Sequence, residues 1–174
     1  MIYLNTPLSE RDIKKLKIGE FVYLSGIVVT ARDKAHERAL NEGAFPIDIE
    51  NCVIFHSGPI VKRNNNEWKV IAIGPTTSAR MNNVESDFIK RFKIRGIIGK
   101  GGMNKKIFRE NKCIYFAMTG GCASIGAMAV ENVKNVYWLE LGIPEAVWIL
   151  EVRNLGPLLV AIDSNGNSVY ENQI

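Results

Sequence analysis

Apolar residues along this chain recur in short blocks rich in β-branched side chains, separated by glycine-rich or polar segments, with helical spacing in between. Thr6-Pro7-Leu8-Ser9 opens a short helix in which Ser9 and Asp12 stand at capping-box spacing, and Gly19 ends it. Phe21-Val22-Tyr23-Leu24 and Ile27-Val28-Val29-Thr30 are β-rich runs parted by Ser25-Gly26, which reads as a bulge or tight bend as readily as a hairpin turn. Ala31 to Leu40 is helical, with Gly43 as its C-cap. The strand Cys52 to His56 meets Ser57-Gly58-Pro59, and the turn Asn64-Asn65-Asn66 joins the strand ending near Val61 to Trp68 to Ile73 as a hairpin, the second strand reading as buried. A helix follows over Val84 to Phe92. Gly96 to Gly99 and Ile114 to Ala117 are short buried strands, followed by helices over Asn104 to Glu110 and Ala123 to Glu131. The last quarter lacks helical spacing: Val136 to Leu139, Ala146 to Val152 and Leu158 to Ile162 read as strands, with a turn at Ser164-Asn165-Gly166-Asn167. The expectation is an α/β fold with a mixed sheet, not a doubly wound one.

Chemistry concentrates where predicted strands meet helices. Gly74-Pro75-Thr76-Thr77-Ser78-Ala79-Arg80-Met81 offers hydroxyls, backbone N-H groups and a guanidinium within a short reach, a set that suits a carboxylate or phosphate. Equally, it is a polar turn whose Thr77 or Ser78 caps the next helix. Arg32 and Asp33 sit at a strand end and helix start, and Gly99-Lys100-Gly101-Gly102 puts a cation where backbone can approach a ligand closely. It is not a phosphate-binding P-loop, because Gly101 stands where Ser or Thr is required, and Asn104 stands at the third glycine position of GxGxxG. Arg32, Arg80 and Lys100 on one sheet edge would hold a small dicarboxylate; the competing reading is that each faces water alone. His36 lies one turn beyond Arg32 and Asp33, either joining them or standing as a plain helix-surface histidine, and His56 reads as structural.

Composition narrows the class. With 174 residues and 47% hydrophobic content the chain can bury one sizeable core, so residues 1–174 are expected to form a single domain. No long apolar run or signal-like N-terminus occurs, which predicts a cytoplasmic protein with no membrane partner. Cys52, Cys113 and Cys122 lack metal-ligand or disulfide spacing, so no metal is assigned to this chain's own residues. The net charge of +4 does not demand nucleic acid, and the run Lys90 to Arg95 reads as a solvated helix end. Ile143-Pro144, Trp148 and Ala123 to Ala129 are either a partner face or core.

Several of these segments recur in a fixed order: Leu24-Ser25-Gly26, Ala31-Arg32-Asp33-Lys34-Ala35-His36, His56-Ser57-Gly58-Pro59, Gly74 to Met81, Gly99-Lys100-Gly101, Gly120-Gly121, and Glu140-Leu141-Gly142 with Glu145-Ala146-Val147-Trp148. Together they resemble the β subunit of class I fumarase, a pattern shared by the L(+)-tartrate dehydratase β subunit. The resemblance implies a swivelling three-layer β/β/α domain and a hydro-lyase whose 4Fe-4S cluster is held by cysteines of a separate α subunit, one iron acting as Lewis acid. It implies a hetero-oligomer with that α subunit, or a homodimer when isolated. Arg32, Arg80 and Lys100 match the family's substrate-carboxylate binders and Thr76 its proposed base; Asp33, His36, Thr77, Gly99 and Gly101 are supporting candidates. Ala79 stands where many relatives have glycine and Cys122 where they have proline, which bears on loop geometry and on fumarate against tartrate. A free-standing dicarboxylate-binding module is the expectation from another class.

Overall fold

The computed structural model describes residues 1–119 and 121–170; Gly120 of the Gly120-Gly121 turn lies outside the described residues. In chain order the elements are β1 (Ile2–Asn5), α1 (Glu10–Lys15), β2 (Phe21–Thr30), α2 (Asp33–Glu42), β3 (Val53–Phe55), β4 (Ile60–Asn64), β5 (Glu67–Ala72), α3 (Asn82–Phe92), β6 (Gly96–Gly99), α4 (Lys105–Asn111), β7 (Ile114–Ala117), α5 (Ala123–Ala129), β8 (Val130–Tyr137) and β9 (Val147–Ile162). Short 3-10 turns cover Ser78–Met81 and Leu139–Leu141.

The main sheet runs β1-β2-β3-β6-β7-β9-β8, and β2 also pairs with β9. Strands β2, β3, β6 and β7 are mutually parallel, while β9 runs antiparallel to both β7 and β2 and so closes the set into a ring. Strands β4 and β5 form a separate hairpin. The two-residue period of a strand decides what each side buries. Val28, Val53, Phe55, Ile98, Ile114, Phe116, Trp148 and Leu150 join Leu8, Ile13 and Leu16 in one core. Their neighbours Val29, Ile54, Ile97, Tyr115, Val147 and Ile149 face the other way, under Ala35 and Ala39 of α2, Phe88 and Ile89 of α3, and Ile107 and Phe108 of α4.

Local chemistry sets the ends. Asp12 N-H donates to the Ser9 hydroxyl at 3.1 Å and Ser9 N-H to the Asp12 carboxylate at 3.0 Å, the reciprocal pair expected from their spacing. Helix α1 stops at Lys15, ahead of Gly19. Helix α2 ends on Gly43 in the left-handed region at φ 66°, where most side chains are strained.

Four expectations change. Phe21 to Thr30 is one strand whose register shifts around Leu24, the bulge reading of Ser25-Gly26, because Asn154 N-H of β9 bonds the Ser25 hydroxyl at 2.9 Å there. The Trp68 to Ile73 run is a hairpin strand as expected, but it is not buried throughout: Glu67, Lys69 and Ile71 of β5 are exposed. Helix α5 ends at Ala129 and β8 begins at Val130, since pairing with β9 outweighs the helical preference of the small residues. The two predicted strands Ala146 to Val152 and Leu158 to Ile162 are halves of β9. Trp148 is fully buried and belongs to core, whereas Ile125 and Met128 of α5 and Ile143 are exposed.

Candidate active site

Because β2, β3 and β6 are parallel neighbours, their carboxyl ends deliver Arg32-Asp33, His56-Ser57 and Lys100-Gly101 to one edge. Residues 74–78 come from the hairpin and cross that edge. Pro75 pairs with Ser57 and Thr77 with Lys100. Thr76 N-H donates to the His56 carbonyl at 2.7 Å, Lys100 N-H to the Thr76 carbonyl at 3.4 Å, and Ser78 N-H to the Lys100 carbonyl at 3.1 Å. Thr76 is thus seated by main-chain bonds between the ends of β3 and β6. Neither Thr77 nor Met81 makes a side-chain cap, so helix capping is not what this loop does.

The charged groups on this edge are not equivalent. Arg32, at the start of α2, has Nε buried and without a hydrogen-bond partner; the Glu145 carboxylate stands 3.4 Å away. Glu145 is brought there because Gly58 lies so close to Pro144 that a Cβ would come 2.5 Å from the Pro144 carbonyl. Arg80 binds both oxygens of Asp33, through Nε at 3.3 Å and through its terminal nitrogen. That hydrogen bond holds the Asp33 carboxyl below its ordinary range and raises Arg80 in turn. Among the described residues no acidic side chain pairs with the exposed Lys100, and none hydrogen-bonds the half-buried Thr76 hydroxyl. Thr77 is exposed; Gly101 takes φ 74° and its carbonyl accepts from the Tyr115 hydroxyl at 2.9 Å. A Cβ at the buried Gly99 would collide with the Ser78 hydroxyl.

Behind this edge lies a cluster that sequence reasoning missed. His36, His56 and Glu85 are each 0% exposed. His36 is therefore not a helix-surface residue: it turns inward with Ala35 and Ala39, its ring 4.2 Å from that of Phe88. His36 Nε2 lies 3.3 Å and His56 Nε2 3.0 Å from the same Glu85 oxygen. His36 Nδ1 is 2.8 Å from the Arg32 carbonyl, and His56 Nδ1 is 2.8 Å from the Ser78 hydroxyl. Burial alone would raise the Glu85 pKa, but the two imidazoles pull it well below the carboxylate range. Burial likewise opposes charge on His36, and Glu85 outweighs it and raises that pKa. At His56 burial prevails, with His36 adding to it, and the pKa falls. One signal was available: Met81, Glu85, Phe88, Ile89 and Phe92 share one stripe of α3, so a carboxylate stands on an apolar face.

His36, His56 and Glu85 are also the one group of described residues able to hold a metal ion, their ligand atoms lying within 4.8 Å of one another. The three cysteines are free, with Cys113 buried and its thiol pKa pushed up by that burial, and they do not group into a cradle for an iron-sulfur cluster. None of the described helices is long and apolar enough to cross a membrane.

A family model described as Fumarase C-terminus matches residues 1–173. A Methanocaldococcus jannaschii protein, provisionally named L(+)-tartrate dehydratase subunit beta, is 51% identical over 179 residues, which cover 98% of this chain and 92% of that protein. The L(+)-tartrate dehydratase subunit beta of Escherichia coli K12 is 38% identical over 170 residues, 95% of this chain and 85% of that protein. A Geobacillus stearothermophilus protein provisionally named as a class I fumarate hydratase is 40% identical over 175 residues, which span 98% of this chain and 34% of that protein.

Proposed function

The chain belongs to the fumarase C-terminus family, and from that membership we propose that it is the β subunit of a two-chain hydro-lyase that reversibly hydrates fumarate to (S)-malate. The observation that carries this reading is the edge itself: three cations and an unengaged hydroxyl meet there, and the buried Arg32 Nε has no hydrogen-bond partner. Glu145 stands 3.4 Å from that nitrogen as an ion pair and not as a hydrogen bond, and a substrate carboxylate would supply the hydrogen-bond acceptor.

Arg32, Arg80 and Lys100 bind and orient the dicarboxylate. Fixed positive charge at the carboxylate stabilises the negative charge that grows there as a proton leaves the neighbouring carbon. Thr76 takes that proton. An aliphatic hydroxyl is a weak base, and Asp33 is paired with Arg80, so the hydroxyl proton would first pass to a base of the α subunit, with Lys100, hydrogen-bonded to Thr76 through the main chain, as the neighbouring cation on this chain. The iron-sulfur cluster would belong to the α subunit, where it supplies Lewis acidity toward the substrate oxygens. The need for a partner is supported by the relatives named as subunits and by the relative of which this chain spans about a third. The fold we assign is the swivelling β/β/α domain, supported by the strand ring with helices α2, α3 and α4 on one side, and the protein is placed in the cytoplasm.

The names of two relatives favour a second reading, the β subunit of L(+)-tartrate dehydratase. The deciding experiment is an anaerobic assay of the reconstituted αβ complex with fumarate, malate and L(+)-tartrate. Faster turnover of fumarate supports the first reading and of tartrate the second. If neither turns over, and the chain alone binds a dicarboxylate, it is a free-standing binding module.

A further inference from the structure

We propose that the buried His36-Glu85-His56 cluster is the positioning element of the site, fixing through its outer hydrogen bonds the three chain segments that carry Arg32, the Thr76 to Arg80 loop, and Lys100. The inference rests on the reading of that edge as the substrate rim; it adds Glu85 and gives His36 and His56 a defined task.

Three contacts leave the cluster, one toward the Arg32 segment and two toward the crossing loop, from which Ser78 reaches the Lys100 segment. His36 holds the Arg32 carbonyl, which is the point where β2 gives way to α2 and from which the Arg32 and Asp33 side chains depart. His56 grips the crossing loop twice, with its own carbonyl on Thr76 N-H at 2.7 Å and with Nδ1 on the Ser78 hydroxyl. Ser78 continues to the third segment, its N-H on the Lys100 carbonyl and its hydroxyl against the Tyr115 hydroxyl, which donates to the Gly101 carbonyl. No side chain other than hydrogen fits at Gly99 without expelling that Ser78 hydroxyl.

The donors and acceptors allow one consistent protonation. A carbonyl only accepts, so His36 Nδ1 carries hydrogen, and Nε2 carries another toward the Glu85 carboxylate. His36 is then an imidazolium paired with Glu85. His56 Nε2, 3.0 Å from the Glu85 carboxylate though not aligned for a hydrogen bond, carries its hydrogen on the side of that negative charge, which leaves Nδ1 to accept from Ser78. The surrounding groups agree: Asp33 on α2 favours positive charge at His36, while Cys113 before β7 and Tyr115 on β7 stay neutral, each because burial pushes its pKa up. The 3.0 to 3.4 Å separations are longer than those of tight charge-assisted hydrogen bonds, so the attraction within the cluster is chiefly that of opposite charges in a dry interior.

The test uses the full chain for spectroscopy and the reconstituted complex for kinetics. In histidine-15N-labelled protein, His36 is expected to carry protons on both ring nitrogens at pH 7 and His56 on Nε2 alone. In Glu85→Gln the His36 midpoint should move to lower pH, and in the complex kcat/KM should fall by about a hundredfold, with KM rising as the cations lose register. Glu85→Asp should restore part of it. Val152→Ala, a core change in the opposite core cluster, should cost stability yet leave kcat/KM near wild type. Should Glu85→Gln fail to fold, the wild-type spectrum still decides. Ordinary titration of both rings, wild-type kinetics in Glu85→Gln, or one tightly bound metal ion per chain with both Nε2 atoms unprotonated would each overturn the proposal. A complex inactive on every dicarboxylate, with the expected ring protonation, would instead overturn the substrate reading and leave the buried unit standing.

Discussion

Two cation-carboxylate pairs stand near each other in this protein, and they behave as opposites. Arg80 and Asp33 meet at the rim with side chains 47% and 37% exposed, while His36 and Glu85 meet inside with both 0% exposed. At the rim, water screens the pair and competes for its partners, so such pairs contribute about 0–1 kcal/mol and exchange readily. Inside, neither partner can be removed without stranding the other in a medium that solvates it poorly. The lesson is a division of labour: the wet pair is built to open for an incoming anion, and the dry pair is built not to open.

That contrast can be broken or sharpened in three ways. The largest effect is expected at the hydroxyl between the two pairs: Thr76→Ala in the assembled complex should keep dicarboxylate binding but lose about 10²–10⁴-fold in kcat, checked by titration and steady-state rates. Unchanged turnover would remove Thr76 from the chemistry.

Next is Glu85→Ala, which should destabilise the chain by about 3–5 kcal/mol in urea unfolding. The pH dependence should carry the same signature. Glu85, with its folded pKa depressed, contributes stability that is present above its ordinary 4.5 and lost as pH falls through the folded value. His36, with its pKa raised, contributes stability that is full below 6.5 and lost as pH rises through its folded value. His56, with its pKa lowered, adds a cost on the acid side, where the unfolded chain takes up a proton below 6.5 that the folded one refuses. Stability should therefore sag at both ends, and Glu85→Gln should flatten the profile.

The smallest effect is the most diagnostic of the rim. Asp33→Asn should change stability by less than about 1 kcal/mol, yet strengthen dicarboxylate binding a few-fold, because Arg80 no longer has a resident carboxylate to give up. Added salt should erase this difference and leave the Glu85 effect in place.

How much of this was legible in the sequence depends on the range of the interaction. Short continuous apolar runs at Val53 to Phe55, Gly96 to Gly99 and Ile114 to Ala117 and the reciprocal Ser9 and Asp12 cap are local, and the structure has elements there. Arg32 and Lys100 are readable as strand-end residues for the same reason. The ring closure is not local: it needs β9 to run unbroken past Leu155, Gly156 and Pro157 to pair with β2, and glycine and proline in a strand read as a break. The Thr76 loop follows a hairpin strand, and its place between β3 and β6 rests on main-chain bonds that carry no sequence signature. Glu85 went unread, and His36 was readable as a neighbour of Arg32 but not as buried, because a polar residue on an apolar stripe has meaning only once its partner, about fifty residues away, is known.

The seat of Thr76 has one more consequence. Bonds from peptide groups are indifferent to the side chains they carry, so the segment spanning Pro75 to Ser78 keeps its course whatever stands at 76 or 77. Substrate preference can then drift by exchanging the exposed side chain at 77, and a redesign aimed at a new acid should begin there and leave Thr76 and the histidines beneath untouched.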